Sequence, residues 1–297
     1  MCGIAGYIGK GDRGVLEAMT NTLVHRGPDD SGFFVYANVG LGHRRLSIID
    51  LSPAGHQPMP SADGAVTIVF NGEIYNFQSI RDELKGYPFR GMSDTEVILA
   101  AYQAYGLECF KKMNGMFALA FYDAPRERLV LARDRLGKKP LYWGKFGDTL
   151  VFGSELKSLL KHPAVKKEID PASLAKYLAF DYVPTPHSIF KNIYKLEPGH
   201  YLVYEKGEVK KEAFWNLTFG NRHDLSEAEV LRELDTRLEH AVASRLVSDV
   251  PLGIFLSGGL DSTLATKVIL DQGVEVIGLH FAMPWGCCDR SAAYQAA

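Results

Sequence analysis

MCGIAGYIG, residues 1–9, places a cysteine directly after the initiator methionine and before a short apolar run. One interpretation is structural: Cys2 is a small hydrophobic residue that leads into a buried strand over residues 4–8. Another is chemical: once Met1 is removed, Cys2 carries both a thiol and a free α-amine. A terminal amine titrates near pH ~7.7–8.0 and a thiol near ~8.5, so one residue would hold a nucleophile and a base. The N-terminal threonine nucleophile, which its own amine activates, is a precedent.

The composition predicts a globular chain with ample material for a core. The chain has 297 residues, 46% of them hydrophobic, which corresponds to about two domains. Charge is balanced, with 33 Lys+Arg against 35 Asp+Glu and no polybasic run, so we expect no nucleic-acid partner. The four cysteines show no paired framework, which is typical of a reducing cytoplasm. We recognise neither a signal peptide nor an apolar run of the ~18–20 residues that a membrane span needs, and we expect a cytoplasmic protein.

Residues 1–205 mix strands and helices without a strict βαβ alternation. Apolar runs predict strands at 66–70, 116–123, 128–134, 140–146 and 149–156, the last two hinged at Gly147-Asp148. Helices are predicted at 13–24, 94–105 and 171–180, the last with Asp170 as its N-cap and Pro171 at its first position. Near-continuous apolarity indicates strands that are covered on both faces. We therefore expect stacked layers of sheet and helix.

A polar stretch at 206–225 predicts a linker, and a second domain follows at 226–297. Ser226 and Glu229 form a capping-box pattern ahead of leucines spaced by three and four residues. The next predicted elements are a strand at 251–256, a helix at 262–273 and a strand at 274–281. They form one βαβ unit, the opening of a parallel α/β domain. Because one such unit cannot bury both faces of its sheet, we expect this segment to be a fragment or to depend on something absent.

The turn inside that unit is LSGGLDS, residues 256–262. Two glycines between a strand and a helix let the backbone approach a ligand, and the helix N-terminus attracts an anion. A plain strand-to-helix turn is the alternative, for which Gly-Gly alone suffices. The two serines and Asp261 favour phosphate oxygens and a Mg²⁺ ion. The loop lacks the spacing and the lysine of a Walker A motif.

Four further segments carry usable chemistry: HRGPDDSG (25–32), GHRRLSIIDL (42–51), FNGEIYN (70–76) and GMSDTEV (91–97). The Arg45 guanidinium suits an α-carboxylate, and the Asp94 carboxylate suits an α-ammonium. The Asn71 amide beside the Gly72 N–H supplies two donors for a tetrahedral oxyanion. Together these groups fit a free amino acid that bears a carboxamide.

Each residue also has a structural alternative. Arg45 alone is equally well explained as a surface cation. Asp94, or Ser93 with Glu96, is a good helix cap. Asn-Gly at 71–72 is most often a hairpin turn. Their conjunction with a terminal cysteine is what favours a catalytic site.

These motifs together resemble the class II, N-terminal-nucleophile glutamine amidotransferase domain. The segments that carry the resemblance are MCGIAGYIG, HRGPDDSG, RRLSIIDL, FNGEIYN, SDTEV, NGMFALAFYD, RDRLGKKPLYW and SELKSLL. SDVPLGIFLSGGLDS resembles the start of the synthetase domain in the glutamine-hydrolysing asparagine synthetase family, and SGGLDS is similar to the pyrophosphate loop of ATP pyrophosphatases. The resemblance ends near residue 265, after which the sequence looks more like an ATP pyrophosphatase of the tRNA-thiolation type.

The resemblance implies an α+β four-layer αββα hydrolase over 1–205, followed by an incomplete α/β parallel-sheet ATP-pyrophosphatase-like segment. It implies Cys2 as the nucleophile, Asn71 and Gly72 as the oxyanion hole, and ammonia that attacks a β-aspartyl adenylate made from aspartate and ATP. The glutamine-binding residues would be Arg45, Leu46, Ser47, Ile48, Ile49, Asn71, Gly72, Glu73 and Asp94. ATP and Mg²⁺ would bind Leu256, Ser257, Gly258, Gly259, Leu260, Asp261 and Ser262, with Asp261 as the candidate metal ligand.

Other functions stay open from the sequence alone. The chain could be a glutaminase-only fragment, a glutamine-sensing or scaffolding module, or an amidotransferase that acts on another carboxylate. A thiolation or adenylation protein with a borrowed N-terminal domain is a further alternative, which the lack of a basic RNA-binding face disfavours. A homodimer or a partner synthetase subunit is compatible with each. Cys287 and Cys288 are adjacent and lack zinc-site spacing, so we expect no metal there.

Overall fold

The structure is a computed structural model that describes residues 1–220, 225–255, 260–271, 273 and 276–279. The chain divides into two compact units, Met1–Thr218 and Phe219–Ala297. Within the described residues no helix has the length and apolarity that crossing a bilayer would take.

Eight helices lie in the described part of the chain. They are α1 (Arg13–Asn21), α2 (Phe77–Glu83), α3 (Asp94–Tyr105), α4 (Cys109–Lys112), α5 (Leu156–Leu159), α6 (Pro171–Phe180), α7 (Glu227–Ala243) and α8 (Leu260–Asp271). The Asp170 carboxylate caps α6 by accepting a hydrogen bond from the Ser173 N–H at 3.1 Å, and Pro171 occupies the first turn, as predicted. The predicted bounds of α3 and α6 agree with the structure, whereas α1 ends earlier, at Asn21.

The strands of the first unit are β1 (Gly3–Ile8), β2 (Asp30–Tyr36), β3 (Val39–Arg45), β4 (Met59–Pro60), β5 (Val66–Ile74), β6 (Gly115–Asp123), β7 (Arg128–Arg133), β8 (Tyr142–Phe146), β9 (Thr149–Gly153), β10 (Tyr194–Lys195), β11 (His200–Glu205) and β12 (Glu208–Ala213). They form two six-stranded antiparallel sheets. One has the order β10-β8-β9-β1-β3-β2 and the other β12-β11-β7-β6-β5-β4. The second unit contributes β13 (Gly253–Phe255) and β14 (Ile277–Leu279).

Alternation of side chains along the strands builds four layers. In β1, Ile4 and Ile8 belong to a core that both sheets share, whereas Ala5 and Tyr7 pack with residues of α1 and α5. On the far side of the second sheet, Tyr102 of α3 stacks on a phenylalanine of β6 at 4.4 Å between ring centroids. The order is therefore helix, sheet, sheet, helix, and the strands are covered on both faces as predicted.

Strand β5 is longer than the sequence predicts. The predicted strand stops at residue 70, but pairing with β6 continues through Asn71 and Gly72 to Ile74. Asn71 lies opposite Ala118, and Gly72 lies opposite Phe117. Asn-Gly is therefore part of a central strand here and not a hairpin turn.

The stretch predicted as a linker from residue 206 contains strand β12 instead. This strand pairs with β11 along its whole length, and its charged side chains are mostly exposed. Charged residues are common on edge strands because they prevent pairing with other chains. Phe214 beyond it is buried and lies 5.6 Å from the ring of Phe110. The first unit accordingly extends to Thr218, beyond the predicted end at 205.

The second unit contains the predicted helix and βαβ unit. The Glu229 carboxylate accepts a hydrogen bond from the Ser226 backbone N–H at 2.8 Å, which satisfies a donor at the start of α7. Strands β13 and β14 pair in parallel, with Gly253 opposite Ile277, and α8 lies between them in sequence. β13 begins at Gly253, two residues after the predicted start at 251, and residues 256, 274–275 and 280–281 of the predicted strands lie outside the described residues.

Candidate active site

The Cys2 thiol lies at the start of β1, against the loop that follows β3. Its sulfur accepts a hydrogen bond from the Leu46 N–H at 3.4 Å and lies 3.5 Å from the Leu46 carbonyl oxygen. The Arg26 guanidinium donates to the Cys2 carbonyl at 2.9 Å, which holds the backbone in place. Burial raises the pKa of the thiol above its ordinary value. A nucleophile at this position therefore needs a base nearby.

Asn71 of β5 presents an unsatisfied amide in the middle of the fold. The residue is fully buried, and neither its Nδ2 nor its Oδ1 has a hydrogen-bond partner among the described residues. Its neighbour Phe70 is fixed on both sides: its N–H donates to Gln57 Oε1 at 2.7 Å, and its carbonyl accepts from His43 Nε2 at 3.0 Å. A buried amide without partners is costly, so Asn71 is a candidate to meet a ligand.

Gly72 is required by the close approach of the next strand. A Cβ at this position would lie 2.2 Å from the Met116 carbonyl oxygen. No other residue fits without moving β6, which explains why glycine follows Asn71 within a strand.

Arg45 lies at the end of β3 and is only 6% exposed. Its guanidinium donates to the Asp50 carbonyl at 2.5 Å and lies 3.4 Å from two further carbonyl oxygens, those of Ile49 and Ser52. A Cβ on Gly55 would lie 2.0 Å from the Nη2 atom, so glycine is needed there. Neutral carbonyls position the guanidinium without neutralising it, and no carboxylate forms an ion pair with it in the described chain. Its charge is available to a carboxylate.

Asp94 lies in the first turn of α3 but does not cap it. Ser93 is the cap, because its Oγ accepts from the Glu96 N–H at 3.2 Å. The Asp94 carboxylate is 4% exposed and accepts from the Ile74 N–H at 2.9 Å. Burial raises the pKa of Asp94 to about 7, and the nearby charge of Glu73 acts in the same direction. A cation at this carboxylate would relieve both effects.

These groups meet around one cavity. Of the predicted glutamine-site residues, all but Ser47 line it: Cys2, Arg45, Leu46, Ile48, Ile49, Asn71, Gly72, Glu73 and Asp94. The backbone N–H of Ser47 donates instead to the Asp29 carboxylate at 2.9 Å. The cavity is also lined by residues that were not predicted from the sequence: Met1, Gly55, Gln57, Phe70, Ser93, Thr95 and Lys139. Lys139 lies inside the RDRLGKKPLYW motif, so that motif was the available signal.

His43 is a buried histidine of the structural kind. Its Nε2 lies 3.0 Å from the Phe70 carbonyl, which only accepts, so Nε2 carries the proton. Burial lowers the pKa of His43 to about 3, and the ring stays neutral. The bond joins a strand of one sheet to a strand of the other beside the cavity, and so fixes the distance between Arg45 and Asn71.

The predicted ATP loop, Leu256 to Gly259, lies outside the described residues, as do the side chains of Leu260 and Asp261, the proposed Mg²⁺ ligand. Cys287 and Cys288 are outside them as well. The described part of that motif is the helix α8 itself, in which Ser262 is half-buried. Within the residues that the structure covers, no cluster of three or more His, Cys, Asp or Glu side chains is arranged to hold a metal ion.

A family model for a glutamine amidotransferase domain matches residues 1–215, nearly the whole of the unit that carries the cavity. The chain belongs to the glutamine amidotransferase family. A second model, for asparagine synthase, matches residues 233–273 of this glutamine amidotransferase.

Curated relatives of this amidotransferase carry asparagine synthetase names. It is 38% identical to "Asparagine synthetase [glutamine-hydrolyzing] 3" of Bacillus subtilis over 90% of the chain and 45% of the relative. It is also 38% identical to a putative asparagine synthetase of Methanocaldococcus jannaschii, over 91% of the chain and 57% of the relative. "Amidase chyE" of Penicillium rubens is 36% identical over 88% of the chain and 39% of the relative. The chain spans about half the length of the curated relatives it matches.

A solved structure supports the fold. The amidotransferase superposes on the glutamine phosphoribosylpyrophosphate amidotransferase of Bacillus subtilis with a TM-score of 0.54 at 18% identity, covering 100% of the chain and 70% of the other. At 18% identity, this similarity is evidence for the fold alone. It confirms the predicted four-layer αββα fold of the N-terminal-nucleophile amidotransferases.

Proposed function

We propose that the first unit hydrolyses glutamine to glutamate and ammonia, with Cys2 as the nucleophile after Met1 is removed. The observation that carries this proposal is the fully buried Asn71 amide, which has no partner in the described chain and lines the same cavity as the Cys2 thiol. Two opposite charges complete the cavity, since Arg45 lacks an anion and Asp94 lacks a cation. A zwitterionic amino acid with a carboxamide side chain complements all of them.

The reaction follows from this arrangement. Arg45 holds the α-carboxylate and Asp94 the α-ammonium, which directs the carboxamide carbon towards the sulfur. The Cys2 thiol gives its proton to the Cys2 α-amine as the sulfur–carbon bond forms. Asn71 Nδ2 and the Gly72 N–H donate to the oxyanion of the tetrahedral intermediate. The protonated amine returns the proton to the departing nitrogen, ammonia leaves, and water then releases glutamate from the thioester.

We further propose that the ammonia serves an ATP-dependent amidation, with aspartate as the acceptor. The match of residues 233–273 to asparagine synthase and the names of the relatives support this assignment. ATP and Mg²⁺ would then bind the loop over residues 256–262. Because "Amidase chyE" is similar over the same span, another carboxylate acceptor is the second candidate.

Pyrophosphate release distinguishes these acceptors. It is measured with glutamine and Mg²⁺-ATP, and with either aspartate or a panel of other carboxylates. Release that depends on aspartate supports the assignment, and release with a different carboxylate alone overturns it.

The cellular setting belongs to the same proposal. We assign the protein to the cytoplasm, which the unpaired thiols of Cys2 and Cys109 support. Glutamine, aspartate and ATP are its proposed partners, and association with a second copy or a synthetase subunit is compatible with this function.

The decisive experiment replaces the nucleophile. Cys2→Ala should lose all but background glutaminase activity and keep its fold, because the side chain contributes one sulfur atom to the packing. Cys109→Ala is the matched control: this cysteine is buried in α4 and does not line the cavity, so activity should persist. Wild-type turnover in Cys2→Ala would place the nucleophile elsewhere. A mass spectrum of the active protein should show that Met1 is absent.

A further inference from the structure

Lys139 is a buried residue with a positive charge and has no role in the glutamine binding proposed above. The residue is 5% exposed and lines the cavity together with Met1, Cys2 and Glu73. In the described part of the chain its ammonium has neither a hydrogen bond nor an ion pair. The ammonium reaches the open space of the cavity and places an unpaired positive charge there, in the cavity that the Cys2 thiol also lines.

The backbone of Lys139 is fixed on both sides. Its N–H donates to the Asp134 carboxylate at 3.0 Å, and its carbonyl accepts from Arg133 Nε at 2.8 Å. The same Asp134 carboxylate accepts from the N–H of Phe117, which lies opposite Gly72 in the sheet. The loop that carries Lys139 is thus tied to the strands that carry the proposed oxyanion hole. This attachment fixes the backbone from which the Lys139 side chain extends.

The charges around the chain terminus come from several elements. Arg26, from the loop after α1, contacts the Cys2 carbonyl, but Glu155 neutralises its guanidinium at 3.0 Å. Glu73 of β5 supplies a negative charge, and Lys139, ahead of β8, supplies a positive one. Of the two described cations that act on the Met1 amine, Arg26 is offset by Glu155, whereas Lys139 has no ion pair among the described residues.

Two further charged groups act on the thiol. They are Arg45 of β3, whose charge favours the thiolate, and Asp94 of α3, whose charge opposes it. At the amine of Met1, burial lowers the pKa, Arg26 and Lys139 lower it further, and the Cys2 thiol and Glu73 act in the opposite direction. Cys2, whose α-amine becomes the terminus when Met1 is removed, lines the same cavity as Lys139.

We propose that Lys139 is a positioning residue for proton transfer, whose charge keeps the Cys2 α-amine uncharged until the thiol gives up its proton. The uncharged amine accepts that proton as the sulfur–carbon bond forms. The same neighbouring charge then makes the protonated amine a stronger acid towards the departing nitrogen, which leaves as ammonia. This inference rests on the proposed function, because it assumes that the α-amine is the base.

The test is the pH dependence of kcat/KM for glutamine hydrolysis by the full chain with Met1 removed. In Lys139→Met the acidic limb should move upward by about one pH unit, so activity falls about tenfold near pH 6 and recovers at alkaline pH. Lys139→Arg should restore the wild-type profile. Lys138→Met is the matched control, because its neighbouring side chain is exposed and does not line the cavity. A uniform loss at every pH would overturn the proposal.

A second measurement does not depend on turnover. In the Cys2→Ala background the amine remains, and its carbamylation by cyanate at several pH values reports its titration by mass spectrometry. Adding Lys139→Met, or Lys139→Gln if that variant fails to fold, should raise the midpoint by about one pH unit. An unchanged midpoint would refute the role of Lys139 and leave glutamine hydrolysis standing. Failure of the proposed function itself would show separately, as activity that survives Cys2→Ala.

Discussion

Two neighbouring groups of buried polar residues in the first unit are satisfied very differently. The Asp134 carboxylate is 1% exposed and accepts hydrogen bonds from four backbone N–H groups, at 2.9–3.1 Å. Beside Cys2, the equally buried Asn71 amide has no partner in the described chain. The Asp94 carboxylate of α3 accepts one hydrogen bond from β5, donated by the Ile74 N–H. The first group is complete without a ligand, whereas the second is not.

The difference separates structural from functional polar groups. A carboxylate with four donors has no capacity left for a substrate, and its removal would strand those donors. Around the cavity, the Asn71 amide has no partner in the described chain, and Arg45 and Asp94 have no ion pair there, so this group can still accept a ligand. Both groups are equally buried, so burial does not distinguish them, and the difference lies in their hydrogen bonds.

The largest effect beyond loss of the nucleophile is expected at Asn71. Asn71→Ala should lower kcat by about 10²–10³, as removal of one oxyanion donor does elsewhere. Because the amide has no partner in the folded protein, its removal should cost little stability. Steady-state kinetics and a urea titration measure both. A destabilised variant with normal kcat would place Asn71 among the structural groups and break the comparison.

Asp134→Asn should show the opposite pattern. The amide nitrogen cannot accept a hydrogen bond, so two of the four backbone donors lose their partner, at a cost of about 2–3 kcal/mol in the free energy of unfolding. The urea midpoint should fall accordingly. If the free energy of unfolding is unchanged, the fully bonded Asp134 carboxylate is not a structural element, and the comparison with Asn71 fails.

Asp94→Asn sharpens the comparison through substrate binding. Loss of a charge-assisted contact to the α-ammonium should raise KM for glutamine about tenfold, with a smaller effect on kcat. The control is Asp29→Asn. The Asp29 carboxylate accepts a hydrogen bond from the Ser47 N–H and lies outside the cavity lining. An unchanged KM together with a loss of thermal stability would return Asp94 to a helix-capping role.

The pH dependence of Asp94 follows from its pKa of about 7 in the folded state, raised by burial. Below that pH the free enzyme holds a neutral carboxyl, so KM should fall as pH rises through about 7. The folded-state pKa lies above the unfolded value of ~3.9, so the contribution of this group to stability is present below pH ~4 and is lost as pH rises to 7. Asp94→Asn should therefore gain stability relative to wild type over that range. A parallel pH dependence in both proteins would contradict the assignment.

The smallest effect is expected at Ser93. Ser93→Ala removes the cap of α3 and should cost about 1 kcal/mol in the free energy of unfolding, with KM close to wild type. Thermal unfolding and kinetics on the same sample check this. A rise in KM as large as that of Asp94→Asn would show that the cap, and not the carboxylate, holds the substrate.

Local sequence was informative wherever a residue and its neighbours decide the outcome. The caps at Asp170 and Ser226, the bounds of α3 and α6, and the strands β6 to β9 could be predicted, because propensity and periodicity act over a few residues. Strands β2, β3 and β11 were not predicted. The chemistry of Cys2, Arg45, Asn71 and Asp94 could be proposed from residue types and from resemblance. Local pattern misjudged Asn71-Gly72, which resembles a turn, because pairing with β6 overrides the preference of two residues.

The sequence by itself determined the family, the layered α+β class and the residue types from which a glutamine site is built. Only the tertiary structure decided which of those residues meet, since β1, β3, β5 and α3 are far apart in the chain. β1 and β3 pair in one sheet, whereas β5 belongs to the other sheet and α3 packs against it. It excluded Ser47 from the cavity lining, made Ser93 and not Asp94 the cap, and carried β12 into the first unit. It also brought Lys139 to the cavity, because the hydrogen bonds of its backbone with Arg133 and Asp134, and not any local preference, set the course of that loop.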